Sequence, residues 1–242
     1  MRYKCIVSYD GSKFEGYQIQ KELNTVQKNI QDTIKFIMLE DVHITSSGRT
    51  DKGVHAYGQV FHFDAKKEIP VHKLKMALNT YMDQSIHIKN IEIVDESFHA
   101  RACAKSKVYE YVLNTGEYDP IEKDYVYQYC YPVDVDKIND VKDVFLGTNY
   151  FKNFCTNNEE FKTYTRTITS IDVKRDGDKC YFVIEGNGFL RYMIRMIIGT
   201  LIAYQRGLLT RENIEYSLME ECKKRTCYKV PSEGLYLKEV KY

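Results

Sequence analysis

The chain has 242 residues, 43% of them hydrophobic, with 35 lysines and arginines against 34 aspartates and glutamates and a net charge of +1. That length and apolar content suit one large domain or two modest ones and exclude a disordered chain. The near-neutral balance excludes a general electrostatic grip on nucleic acid, so any such contact must come from local basic surface.

Seven scattered cysteines form no CxxC pair and the six histidines form no paired array. No metal site is expected, and reduced thiols in a cytoplasmic setting explain the cysteines best. Met1–Ile6 reads as the start of a strand rather than a secretory leader. The longest apolar run, around Met193–Ala203, is interrupted by Arg195 and is too short to span a bilayer, so no membrane association is expected.

Taken in chain order, the periodicities predict a strand at Tyr3–Tyr9 and a helix at Thr25–Leu39, with Val26, Ile30, Ile34 and Ile37 on one face. Strands follow at Val42–Thr45 and Tyr57–Phe63, then a helix at Pro70–Met82 and a strand at Ile86–Val94. This is the split βαβ order of ferredoxin-like folds. The second half repeats the plan with insertions. It has a strand at Lys107–Leu113, a hairpin arm at Tyr125–Tyr131 and a helix at Val135–Leu146. A hairpin of Thr163–Lys174 and Cys180–Glu185 is closed by Arg175-Asp176-Gly177-Asp178. Helices at Phe189–Gln205 and Thr210–Cys222 and a strand at Leu235–Val240 complete the chain. The expected class is α+β in two similar halves, residues 1–101 and 102–242, with a substrate cleft where they meet.

Between two strand-like runs lies Ser46-Ser47-Gly48-Arg49-Thr50-Asp51-Lys52-Gly53-Val54-His55-Ala56. Two glycines bracket Asp51, which lets the backbone present its carboxylate at a fixed place. Arg49, Lys52 and His55 surround it with positive or potentially positive groups that favour the ionised form. Such a carboxylate suits a nucleophile or a general base, and an ordinary Asx-turn loop with solvated charges reads equally well.

Arg195 lies in Met193-Ile194-Arg195-Met196-Ile197-Ile198, a helix otherwise built for burial. A guanidinium there is costly unless a carboxylate faces it, and the alternatives are snorkelling or a structural pair with Glu110 or Glu185. Arg191 lies one turn earlier on the same side. In Lys107-Val108-Tyr109-Glu110-Tyr111-Val112-Leu113, alternation puts Lys107, Tyr109 and Tyr111 on one strand face. Candidate basic patches are Lys105 with Lys107, Lys162 with Arg166, Lys174 with Arg175, and Lys223-Lys224-Arg225.

Gly-Arg-Thr-Asp-Lys-Gly-Val-His-Ala, residues 48–56, resembles the catalytic loop of the TruA family, the bacterial tRNA pseudouridine synthase A enzymes. Further blocks stand in family order: Tyr9-Asp10-Gly11-Ser12-Lys13-Phe14-Glu15-Gly16-Tyr17-Gln18, then Thr25-Val26-Gln27, then Phe98-His99-Ala100-Arg101 and the Tyr109 strand. Gly188-Phe189-Leu190 through Met193-Ile194-Arg195 follows, and Pro231-Ser232-Glu233-Gly234-Leu235-Tyr236-Leu237 closes the chain. The resemblance spans residues 3–241.

It implies two pseudo-symmetric halves sharing an extended, mainly antiparallel sheet, with helices on one face and an active-site cleft between the halves. It also implies a homodimer acting on tRNA, isomerising uridine on the 3′ side of the anticodon stem-loop without a cofactor. Asp51, Tyr109 and Arg195 are the implied catalytic residues, with Arg49, Lys107, Tyr109, Arg191 and Leu235 contacting substrate. The family usually carries tryptophan where this chain has Tyr17 and arginine where it has Lys107, which bears on RNA choice rather than on chemistry. The same chemistry on ribosomal RNA, or a non-catalytic RNA-binding protein of the same fold, are the alternative readings.

Overall fold

The computed structural model describes residues 1–156, 163–222 and 224–242. Its elements in the first half are β1 (Arg2–Tyr9), α1 (Val26–Met38), β2 (Thr45–Ser46), β3 (His55–Asp64), α2 (Val71–Tyr81) and β4 (Ile86–Val94). Then come β5 (Ser106–Asn114), β6 (Tyr127–Gln128), α3 (Val135–Val141), β7 (Gly147–Tyr150), β8 (Thr165–Asp176), β9 (Lys179–Gly186), α4 (Met193–Gln205), α5 (Arg211–Ser217) and β10 (Leu235–Lys241). The class is α+β. Contacts group these elements into two units, Met1–Lys105 with Tyr236–Tyr242, and Ser106–Leu235.

In the first unit β1 pairs antiparallel with β3 on one side and β4 on the other. The far side of β3 takes β2 at Phe61 and His62, and β10, parallel, at His55 and Ala56. The order β4-β1-β3-β2 is the expected split βαβ arrangement. Strand β1 turns Tyr3, Cys5, Val7 and Tyr9 inward because side chains alternate across a strand. Helix α1 presents Val26, Ile30, Ile34 and Met38 at helical spacing to the core. Burying each of those side chains contributes about 1.5–3 kcal/mol.

In the second unit β5 pairs antiparallel with β9, β9 with β8, and β8 with β7. Gly177 takes φ +56 in the tight turn between β8 and β9, a conformation glycine adopts without steric penalty. Helix α4 is buried from Met193 to Ala203, Arg195 included, so it carries no polar stripe.

Several boundaries differ from the periodicity, each for a local reason. The Val42–Thr45 run pairs only at Thr45–Ser46, because α1 supplies the missing partners. Gln31 Oε1 accepts from Ile44 N–H at 3.2 Å and Gln27 Nε2 donates to the Ile44 carbonyl at 3.3 Å. Tyr125–Tyr131 is not a hairpin arm: only Tyr127–Gln128 pairs, parallel to Leu113–Asn114 of β5. Helix α3 tightens after Val141 into a 3-10 turn, Lys142–Phe145. Helix α4 begins at Met193 rather than Phe189, since Tyr192 sits in the left-handed region at φ +67. Helix α5 stops at Ser217, where Asn153 Nδ2 takes the Ser217 and Cys222 carbonyls at 3.1 and 2.8 Å. Strand β7, Gly-Thr-Asn-Tyr, carries no apolar alternation and has no signature in the sequence.

Candidate active site

The Asp51 loop runs from Ser47 to Val54, between β2 and β3 of the first unit. Its entry is pinned by Gln59, whose Oε1 accepts from Ser47 Oγ at 2.6 Å and whose Nε2 donates to the Gly48 carbonyl at 2.9 Å. Its exit is a turn in which Val54 N–H bonds the Asp51 carbonyl at 3.1 Å, with Gly53 at φ +79. Gly53 thus uses the positive φ open to glycine, whereas Gly48 lies outside that region and is held through its carbonyl.

Beneath the loop lies the block Tyr9–Gln18, and it forms the loop's bed. Tyr9 Oη and Thr50 Oγ1 are 2.8 Å apart in a buried hydroxyl pair, and Tyr17 N–H donates to the Thr50 carbonyl at 3.1 Å. A Cβ added at Gly11 would meet the Val54 carbonyl oxygen at 2.0 Å, so only glycine permits that approach. Lys52 Nζ pairs with Glu15 at 2.7 Å. His55, buried, accepts from Gly11 N–H through Nδ1 at 3.1 Å, with Asp10 Oδ1 at 3.3 Å from the same nitrogen. Asp51 itself is half-buried between these fixed points, and Arg49 is exposed. The backbone on both sides of the carboxylate is therefore tied down, which is the preorganisation a nucleophile or base requires.

Burial pushes the Tyr9 and Tyr17 phenols well above their ordinary range. Both are neutral packing groups. The Tyr17 hydroxyl is buried without a hydrogen-bond partner; burial first and Tyr9 next raise its pKa, and the nearby Ser46 side chain opposes them. Tyr17 is thus part of the bed and not an exposed aromatic surface.

The Phe98–Arg101 block serves the same unit as a clamp. Arg2 Nη1 donates to the Phe98 carbonyl at 2.9 Å, Ala100 N–H donates to His62 Nδ1 at 3.1 Å, and Tyr242 Oη donates to the Ala100 carbonyl at 2.7 Å.

The remaining predicted residues lie in the second unit. Tyr109 is 9% exposed on β5, across from Ile184 of β9, and its ring meets Phe189 edge-on at 5.3 Å. Tyr111 is fully buried and donates to the Pro231 carbonyl at 3.0 Å, a packing role. Lys107 is half-exposed on the same strand, opposite Gly186. Leu235 is buried at the start of β10, after a segment docked on β5: Val112 N–H bonds the Gly234 carbonyl at 2.9 Å. A Cβ at Gly234 would meet the Val112 carbonyl oxygen at 2.4 Å.

Arg195 is 9% exposed, and Val230 clasps it at two points. Its Nε donates to the Val230 carbonyl at 2.8 Å, and its own carbonyl accepts from Val230 N–H at 3.1 Å. The segment reaches α4 because residue 199, one turn on from Arg195, is glycine: a Cβ there would lie 2.8 Å from Lys229 N. Arg191 is exposed and donates to the Tyr192 hydroxyl at 3.1 Å.

Each unit therefore holds part of the predicted set: Asp51 with Arg49 in the first, and Lys107, Tyr109, Arg191, Arg195 and Leu235 in the second. Of the supporting residues, Tyr9 and Thr50 lie within the motif blocks with no role assigned to them, Gln59, Gly199 and Val230 lie outside them, and only Gly199 carries a signal, as a glycine inside a helix. Lys162 and Lys223 of the basic patches lie outside the described residues. Among the described residues no group of His, Cys, Asp and Glu could hold a metal ion, and no helix is long and apolar enough to cross a membrane. Burial raises the Cys155 and Cys180 thiols to about 11, so these cysteines are packing groups.

Among curated proteins, the chain is 38% identical to tRNA pseudouridine synthase A of Bacillus pumilus, covering 100% of this chain and 99% of that protein. It is likewise 38% identical to the enzyme of that name from Anoxybacillus flavithermus, covering 100% and 98%. It is 40% identical to tRNA pseudouridine synthase A 1 of Bacillus cereus, again over 100% and 98%. A solved chain of a Cbf5-Nop10-Gar1 complex aligns with 97% of this chain and 57% of its own length at a TM-score of 0.37 and 13% identity. The sequence signature described as tRNA pseudouridine synthase matches residues 5–101 and 143–242. With that match added to full-length relatives, and with the motif blocks forming the bed and clasp just described, the chain belongs to the tRNA pseudouridine synthase family.

Proposed function

We propose that this protein isomerises uridine to pseudouridine on the 3′ side of the tRNA anticodon stem-loop, as a cytoplasmic homodimer and without a cofactor. The observation that carries the reading is the Asp51 loop: a carboxylate tied down on both sides, within a chain whose relatives match its full length and whose family signature covers residues 5–101 and 143–242.

The target uridine is extruded from its stack and its ring rests on Tyr109, while Arg49 contacts the RNA beside it. Asp51 attacks the nucleotide or takes its proton once the glycosidic bond has broken. Arg195 supplies the guanidinium that keeps Asp51 ionised through that step. The freed uracil turns and rejoins the ribose through carbon, and the proton on that carbon is lost. Bond heterolysis and re-bonding within one nucleotide consume no redox equivalents. Leu235 walls the base pocket against water, which would otherwise capture the intermediate. Lys107 and Arg191 contact the backbone phosphates.

Purified Asp51→Ala is expected to bind an anticodon stem-loop transcript and form no pseudouridine; turnover by that variant removes Asp51 from its role. Arg195→Lys is expected to be strongly impaired, because an ammonium lacks both the fork and the Nε that Val230 holds. Pseudouridine maps of total RNA from cells with and without the gene identify the substrate. Loss in anticodon stems supports this reading, and loss confined to ribosomal RNA overturns the choice of RNA.

A further inference from the structure

Among the described residues of the second unit, Tyr192 and Cys130 are the non-glycine residues at positive φ. Tyr192 stands immediately before α4 at φ +67 and ψ 0, where a bulky side chain is strained and glycine or asparagine is at ease. Its ring collects three cations. Arg191 Cζ lies 4.9 Å from the ring centroid, Arg195 Cζ 5.1 Å, and Lys229 Nζ 4.6 Å. The negative faces of an aromatic ring attract each of these cations. Capping alone does not explain a tyrosine, because its side chain makes no capping hydrogen bond to the helix.

We infer that Tyr192 is a positioning residue for Arg195, setting the direction of its guanidinium. Tyr192 directly precedes α4 and Arg195 is the third residue in it, and the 5.1 Å separation brings that guanidinium over the ring. The guanidinium is held through Nε on the Val230 carbonyl, and its Cζ lies over the Tyr192 ring. Two contacts in different directions define the orientation of a planar group more narrowly than either does alone. Lys229 on the same ring ties the segment that carries Val230 to the same anchor. The strained backbone at residue 192 is the cost of placing an aromatic ring where helix and segment meet. This inference rests on the reading of Arg195 as the partner of Asp51.

The test uses the full-length protein and an anticodon stem-loop transcript, measuring single-turnover rate at saturating RNA, RNA affinity and melting temperature. Tyr192→Phe keeps the ring and is expected to retain the parental rate. Tyr192→Asn suits the left-handed backbone and is expected to melt no lower than the parent, yet to lose on the order of 10- to 100-fold in rate with its affinity little changed. Tyr192→Leu keeps bulk and strain without the π face and is expected to be as slow, which covers an asparagine variant that folds poorly. A parental rate in a folded asparagine or leucine variant overturns the inference, as does a defect confined to RNA affinity. Arg195→Ala, run alongside, separates the two levels. If it keeps turnover, the role of Arg195 itself fails. If it is inactive while Tyr192→Asn is parental, only the positioning role fails.

Discussion

Gly199→Ala tests whether the clasp on Arg195 depends on the close approach of the Tyr228–Val230 segment to α4. In an exposed helix interior the exchange of glycine for alanine stabilises by about 1 kcal/mol. Here the new Cβ would stand 2.8 Å from Lys229 N and from the Tyr228 carbonyl carbon, and 2.9 Å from the Tyr228 oxygen. Carbon contacts settle near 3.5–4.0 Å, so the segment must retreat by roughly 0.8 Å, and these are backbone atoms that cannot simply rotate away. Overpacking of this kind costs about 1–3 kcal/mol. A retreat that opens the Nε bond from Arg195 to Val230 adds about 1.5–3 kcal/mol, because one partner is charged. After the gain in helix propensity, the expected net loss is about 1.5–5 kcal/mol. Urea unfolding gives the stability. Release of tritium from the labelled uracil carbon, measured on anticodon stem-loop RNA, gives turnover, which should fall by about 10-fold or more. An alanine variant as stable as the parent and equally active would refute the argument that glycine is there for this approach.

Two further outcomes follow from single groups in the first unit. Tyr17→Phe should stabilise the protein by roughly 1 kcal/mol in denaturant unfolding, since it removes a buried hydroxyl that has no hydrogen-bond partner; a destabilised variant would mean that the hydroxyl is satisfied. His62 is buried, and burial first, then the nearby Arg2, holds its pKa below the ordinary 6.5, with His99 and His43 acting the same way and Asp64 opposing. The unfolded chain therefore takes up a proton near pH 6.5 that the folded protein refuses until lower pH, so stability falls as pH drops through that window and levels off beneath it. Denaturant midpoints measured from about pH 7.5 to about pH 5.5 should decline less in His62→Asn, and an unchanged slope would exclude His62 as the source.

The sequence was most informative at the residues proposed to carry the chemistry. Asp51 and Arg195 stand out as an acid between glycines and a cation in an apolar helix, each breaking a local pattern, whereas Tyr109 fits its alternating strand and is marked by the family resemblance alone. Element types were legible from their patterns, since α1 and β1 repeat at 3.6 and 2 residues. Ends were less so. Helix α4 starts late because of one left-handed tyrosine, and β2 is short because two glutamines of α1 serve the backbone that a strand partner would have served. What stayed hidden was the support, and the reason is physical. Among the atoms that fix the Asp51 loop and Arg195 are main-chain carbonyls, those of Gly48, Thr50 and Val230, which every residue possesses and no pattern advertises. Sequence registers them only indirectly, as glycines at 11, 199 and 234 that leave room for another segment. A glycine marks that something comes close but not what, and the partners of these three lie 43, about 30 and 122 positions away, distances that only a folded topology closes. Variants that disturb these approaches should therefore cost activity at positions bearing no chemical group at all, which is the sense in which the scaffold belongs to the site.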